Sequence, residues 1–211
     1  MVNKTKEYFI TLFLTMAFPI LTQAQEIGSF TDNRDGQVYE TVSYSIQLSK
    51  DSTLRMTWMV ENLNYKTEDA YCYDDYESNC AIMGRLYNWV AAMQACPEGW
   101  HLPDDEEWNQ LAELFGGLKS AAKHLKSTSE LWSEEGGGTN KSLFNAMPYG
   151  HAIIGSGYFA FTLNATFWSA ENISSEYATD WVLSSWDRLI SYKGHKSTAG
   201  NSVRCVQDGD R

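Results

Sequence analysis

Apolar positions along the chain recur with a helical period in two places and with a strand-like alternation in several others. In the stretch CPEGWHLPDDEEWNQL, from Cys96 to Leu111, Pro97, Gly99 and Pro103 mark a turn, while Trp100 and Leu102 supply apolar anchors. Asp104 followed by Glu107 has the pattern of a capping box, which predicts a helix opening there. Trp108, Leu111, Ala112 and Phe115 then fall at i, i+3, i+4 and i+7, a core-facing stripe, and Gly116-Gly117 ends the helix. A helix ahead of it is predicted from Gly84 to Ala95, where Leu86, Trp89, Val90 and Met93 repeat the spacing and Pro97 bars continuation.

The N-terminal part alternates instead. From Gly28 to Tyr65 the pattern is strand-like: Asp32-Asn33-Arg34-Asp35-Gly36 forms a turn, and Gln37 to Gln47 carries Val38, Val42, Tyr44 and Ile46. A second run, Leu54 to Leu63, pairs with it through the hairpin connection Ser49-Lys50-Asp51-Ser52. Beyond the helices, Leu118 to Leu125 is a short helical or irregular piece, and Lys119, Lys123 and Lys126 read as a solvated face. From Ser127 onward short apolar pieces alternate with Gly, Ser and Asn. Tyr158 to Leu163, Thr166 to Ala170, Trp181 to Trp186, Leu189 to Tyr192 and Ser202 to Val206 are expected to be strands. A hairpin, two helices, a long irregular region and a terminal antiparallel set make the expected fold class α+β.

Residues 1–24 have a different texture. Lys4 and Lys6 precede an uncharged run from Tyr8 to Leu21, and Thr22-Gln23-Ala24 offers a small-residue cleavage site, the order of a secretory signal peptide. The run falls below the roughly 18 apolar residues wanted for a membrane span. No Cys follows it, so a lipoprotein is not expected. Removing the segment takes Lys4, Lys6 and Glu7 with it and moves the formal charge from −11 to −12. Such a chain is a poor partner for nucleic acid or an anionic membrane, which need clustered Lys and Arg. With 8 Trp, 12 Tyr and 9 Phe, it can fill the core of one domain.

The chain has 4 cysteines, Cys72, Cys80, Cys96 and Cys205, and an even number in an exported chain favours disulfides. Three pairings are possible. Spacing favours Cys72 with Cys80, closing a short acidic loop, and Cys96 with Cys205, tying the end of a helix to the last strand. Chain entropy gives these roughly 2.5 and 4.7 kcal/mol. A zinc site is disfavoured, because no Cys-x-x-Cys pair occurs and His101, His124, His151 and His195 are scattered. Asp74, Asp75 and Glu77 in the acidic loop lack the alternating spacing of a calcium loop and read as solvated. No metal and no organic cofactor is expected.

In chain order, DGQVYETV, WMVENLNY, CYDDYESNC, GRLYNWVAAM, ACPEGWHLPDDEEWNQL, HLKSTSELW, FNAMPYG, ATFWSAEN and SVRCVQD resemble the blocks of the Fibrobacter succinogenes major paralogous domain, an exported bacterial family. The resemblance covers about residues 30 to 208, so residues 28–208 are taken as one such domain. It implies a C-type-lectin-like fold, with two helices flanking small antiparallel sheets and a long loop region that carries ligand contacts. A disulfide from the first helix to the last strand is common in that fold. The chain departs from the family in its first hairpin, where SYSIQLSKDSTLRMT lengthens the connection between the TV and WM strands.

The expected role is a non-enzymatic binding module in the periplasm, on the cell surface or outside the cell, with a glycan, peptide or cell-surface protein as ligand. Trp186, Asp187, Arg188, Tyr192 and Lys193, between late strands, are the candidate ligand residues, because aromatic and charged side chains together suit sugar or protein recognition. The competing reading places Trp186 in the core. Calcium-dependent sugar binding is disfavoured, since Glu171-Asn172 lacks the Glu-Pro-Asn motif of animal lectins. An oxidase like the formylglycine-generating enzymes is suggested by GWHLPDDEEW, but those enzymes need a pair of reactive C-terminal cysteines and only Cys205 lies there. A passive component of the cell envelope is the third possibility. No nucleophile elbow or phosphate loop occurs.

Overall fold

The computed structural model describes residues 24–49, 52–133 and 136–209. The predicted secretory segment up to Gln23, Lys50 and Asp51 of the predicted hairpin connection, and Glu134-Glu135 lie outside the described residues.

Three strands open the fold as an antiparallel meander: β1 (Ala24–Thr31), β2 (Val38–Ser49) and β3 (Ser52–Met59). The turn between β1 and β2 is the predicted one. The buried Asp32 carboxylate accepts from the Arg34 backbone N–H at 3.0 Å and from its guanidinium at 2.7 Å, and Gly36 takes a positive φ of 79°. Arg34 then donates to the Ala95 carbonyl at 2.8 Å, pinning the turn to a helix end. The register Val42↔Trp58 and Tyr44↔Met56 sends these four side chains into the core.

Short elements follow: β4 (Ala70–Tyr71), α1 (Glu77–Met83), β5 (Leu86–Tyr87), α2 (Trp89–Ala95), β6 (Trp100–His101), α3 (Asp105–Leu114) and α4 (Ala121–Leu125). The C-terminal part is β7 (His151–Ile153), β8 (Gly157–Phe159), β9 (Asn164–Asn172), β10 (Tyr177–Ser184), β11 (Leu189–His195), β12 (Ala199–Ser202) and β13 (Val206–Gln207). One sheet runs β1-β2-β3-β13-β6; the other runs β11-β10-β9-β12-β5-β4, with β7 on β12 and β8 on β7. The fold is mixed α/β, mostly sheet with few helices.

The main core lies between the sheets, and α3 inserts into it. Its capping box forms as the sequence predicts: Glu107 N–H donates to Asp104 at 2.9 Å and Asp104 N–H to Glu107 at 3.0 Å. The fully buried Trp108 of α3 packs on Trp58 at 4.9 Å, Phe167 at 5.5 Å and Trp181 at 6.0 Å between ring centroids, so one helical side chain bridges both sheets. Cys96–Cys205 and Cys72–Cys80 are disulfides with Cα separations of 5.8 and 5.0 Å, the two pairings that spacing favours. Two disulfides are consistent with an oxidising, exported location. Among the described residues, no helix is long and apolar enough to cross a membrane.

Several expectations are corrected. The first predicted helix does not run from Gly84 to Ala95. Gly84 to Asn88 are buried in succession, an extended pattern in which Leu86 and Tyr87 form β5, and the helix begins only after Asn88, whose side chain caps Ala91 N–H at 2.8 Å. Val90 and Met93, read as core-facing, are exposed, and Ala92 and Ala95 are buried in their place. Gly84 instead closes α1, a helix the acidic-loop reading missed, and with φ at 73° a Cβ there would stand 2.7 Å from the Asn62 carbonyl. The two flanking helices are thus four short ones. Tyr158 to Leu163 is strand only to Phe159, because Ala160 and Thr162 adopt positive φ, and Ser202 to Val206 is split between β12 and β13. Trp181 to Trp186 is strand only to Ser184, and β7, within the predicted irregular region, was not foreseen.

Lys126 is the largest correction. The local sequence places it on a solvated face with Lys119 and Lys123, yet it is 0% exposed: Nζ donates to the Ser184 and Ser185 carbonyls at 3.1 and 3.4 Å and pairs with Asp187 Oδ1 at 2.6 Å. Burial pushes its pKa down against the opposing pull of Asp187.

Candidate functional site

Strands β9, β10 and β11 form an antiparallel set in which successive side chains take opposite faces. Ala165, Phe167, Trp181, Leu183 and Leu189 point inward to the core. The outward face carries a different set. Its cross-strand register places Asn164 beside Ser184, Val182 between Thr166 and Ile190, and Asp180 beside Tyr192. With the turn after β10 and with His151 of β7, these residues wall a cleft of about 350 Å³, within the roughly 300–1,000 Å³ of small-molecule sites.

The chemistry of the cleft is mixed. Asp180 is 8% exposed; its Oδ2 accepts from Asn201 at 3.1 Å, but Oδ1 has no partner. Burial raises its pKa to about 6 against the opposing Asn201 hydrogen bond. Thr166 Oγ1 and Ser184 Oγ are likewise buried without a partner. Such groups are rare in folded chains and cost about 1–3 kcal/mol each. Val182 and Ile190 give an apolar strip between them. Burial lowers the pKa of His151, so the imidazole is neutral near pH 7. At Gly194 a Cβ would stand 2.4 Å from the Trp168 ring and 3.0 Å from Asp180 Oδ2, so only glycine lets this end of the sheet close.

Of the five sequence candidates, Trp186, Arg188 and Tyr192 line this cleft. Trp186 is 71% exposed and Tyr192 54%, which removes Trp186 from the core. Asp187 turns away to meet the buried Lys126. Lys193, opposite Thr179, alternates onto the other face of β11 from Tyr192. Sequence reasoning missed Thr166, Asp180 and Ser184. A signal was present: Asp is disfavoured within strands, and Asp180 stands in the middle of an otherwise apolar and aromatic run.

Outside the cleft, buried polar atoms without a hydrogen-bond partner occur at Trp58 Nε1, Asn64 Oδ1, Thr67 Oγ1 and Trp108 Nε1, scattered rather than gathered on one cleft. In the acidic loop Asp75 accepts from the Tyr158 hydroxyl at 2.5 Å and Glu77 pairs with Arg85, while Asp74, Asp75 and Glu77 all stay exposed to solvent, as the sequence reading expects. Cys72, Glu77 and Cys80 come together closely enough for a metal, but the two sulfurs are bonded to each other and offer no thiolate. A second cleft of about 320 Å³ is lined in part by Arg204, Glu61 and Tyr149. There the buried Arg204 guanidinium donates to Asn62 at 3.0 Å and to the Phe144 carbonyl, and burial lowers its pKa to about 9. Those bonds fix the 144–145 segment.

No curated protein and no solved structure matches the chain. A family model does: the Fibrobacter succinogenes major domain matches residues 53–207, a span that holds α3, both disulfides and every wall of the cleft. The chain belongs to the Fibrobacter succinogenes major domain family.

Proposed function

We propose that this chain is an exported, non-enzymatic binding module on a C-type-lectin-like scaffold, and that its ligand enters the cleft on the outward face of β9, β10 and β11. One observation carries the reading: Thr166, Asp180 and Ser184 line one cleft whose mouth is aromatic, and each keeps a buried oxygen without a partner among the described residues. Folding alone does not favour such groups, whereas a ligand that satisfies them does. The scaffold reading is supported by β13 joining the sheet of β1 to β3 and by the disulfide from the end of α2 to Cys205. Export is supported by the basic-then-apolar order of residues 1–24.

A binding role is favoured over catalysis by the chemistry of the cleft. Among the described residues Asp180 is the single carboxylate lining the cleft, so paired-carboxylate glycoside chemistry finds no second member among them. An oxidase of the formylglycine-generating type is disfavoured because Cys205 is fully buried and bonded to Cys96. Saturation-transfer NMR of the disulfide-bonded protein with fractionated bacterial envelope extract tests the reading. Wild type is expected to saturate a component that a Trp186→Ala, Tyr192→Ala double variant does not, with both proteins folded. Equal transfer to both would contradict it, and would favour a passive envelope component that acts through another surface.

A further inference from the structure

We infer that the cleft on β9, β10 and β11 takes a neutral sugar unit, whose hydroxyls meet the orphaned oxygens of Asp180, Thr166 and Ser184 while a C–H face lies on Trp186. The inference rests on the reading of this cleft as the ligand site and narrows it to one chemical class.

Three features select that class. First, the orphaned groups comprise one carboxylate oxygen and two hydroxyls, spread along two adjacent strands around Val182. A ligand that answers them presents several hydroxyl donors at different points of its rim, as a pyranose does. Second, the charges balance. Asp180 brings one negative charge and Arg188 one positive, and the Arg188 guanidinium has no ion-pair or hydrogen-bond partner among the described residues. A strongly charged ligand would meet its own sign as well as the opposite one, whereas a polyhydroxylated neutral ligand accepts from Arg188 and donates to Asp180. Third, the cleft is small and concave, with a volume of about 350 Å³. It is matched to one or two sugar rings and not to the roughly 1,200–2,000 Å² of a standard protein interface. The exposed Trp186 and Tyr192 rings at its mouth offer apolar faces beside polar groups, which suits the alternating C–H and O–H surfaces of a sugar.

The test is a calorimetric titration of the full disulfide-bonded chain with glucose, galactose, mannose, N-acetylglucosamine and their disaccharides, each beside glucuronic acid and glucosamine as charged counterparts. Saturable binding of at least one neutral sugar is expected, at least as strong as that of either charged counterpart. Asp180→Asn should weaken it about tenfold, the scale of one lost charge-assisted hydrogen bond, and Trp186→Ala should weaken it similarly. Both variants are to be checked for a retained cooperative melt; Ser184→Ala, which removes one hydroxyl and no bulk, provides a third variant. No saturable binding of any neutral sugar up to tens of millimolar, or binding indifferent to Asp180→Asn, would overturn the inference. Preference for glucuronic acid or glucosamine that is lost in Trp186→Ala would also overturn it while leaving the cleft as the ligand site. Binding of any member of the panel that Trp186→Ala leaves untouched would remove the site reading itself.

Discussion

The two faces of β10 follow different rules. Inward, Trp181 stacks on Trp108 at 6.0 Å, its Nε1 donates to Asp105 at 2.8 Å, and Leu183 is fully buried beside it. Outward, Asp180 and Ser184 are nearly as well buried, yet each keeps an oxygen without a partner among the described residues. The inward face is explained by folding: apolar area leaves water and the polar atom of Trp181 finds an acceptor. Unanswered polar atoms occur in the core too, at Trp58 Nε1 and Trp108 Nε1, so what sets the outward face apart is that three of them belong to residues lining one cleft.

Substitutions on the two faces should therefore move stability by different amounts and in different directions. Trp181→Ala opens a cavity beside Trp108 and strands the Asp105 contact; a loss of about 3–5 kcal/mol is expected in urea unfolding. Lys126→Met is next. It releases the Ser184 and Ser185 carbonyls and Asp187, and because Asp187 is partly exposed and can take up water, the expected loss is about 1–3 kcal/mol. That substitution also loosens the turn that carries Trp186 and Arg188, so cleft binding should weaken with it.

How far the sequence revealed each face follows from the kind of signal each leaves. The inward face was legible because it is periodic: Trp108, Leu111, Ala112 and Phe115 announced α3, and Val42, Tyr44 and Trp58 announced the first sheet. The two disulfides were legible from spacing. Lys126 was not, because its burial depends on a contact 58 residues away, at Ser184, which local composition does not encode. The strand Leu86–Tyr87 was missed because fully buried extended residues imitate a helical stripe when a tryptophan and a methionine follow at the right spacing. On the outward face the exposed aromatic Trp186 and Tyr192 were found by their type and their place between strands. Asp180, Thr166 and Ser184 were not, since their meaning comes from the register across three strands.

On the outward face the effects are smaller and opposite in sign. Ser184→Ala and Thr166→Val each remove an unanswered hydroxyl, so stability should hold or rise by up to about 1 kcal/mol. The pH dependence separates the cleft from the rest. With a folded pKa near 6, above its ordinary value of 3.8, Asp180 binds more protons folded than unfolded, so its penalty is absent below pH 3.8, enters as pH rises to about 6, and is complete above that. Asp180→Asn should thus stabilise at pH 7 and do nothing at pH 3. His101 works in another window. It sits between Glu107 at 2.8 Å and Asp208 at 2.6 Å, and Glu107 above all, aided by Asp208, raises its pKa above the usual 6.5. Its contribution is full below pH 6.5 and is lost as pH climbs through the raised value, so His101→Gln should cost stability below about pH 6.5 and converge with wild type above the raised value.

The indole N–H region of a two-dimensional NMR spectrum tests the contrast between the faces most directly, since the chain has 8 tryptophans and Trp186, at 71% exposure, stands at the mouth of the cleft. On titration with the neutral sugar panel the Trp186 signal should move and saturate while Trp58, Trp108 and Trp181 of the core stay fixed. A titration that leaves Trp186 in place, or shifts the core indoles in its stead, would contradict the assignment of the outward face of β10 as the binding surface.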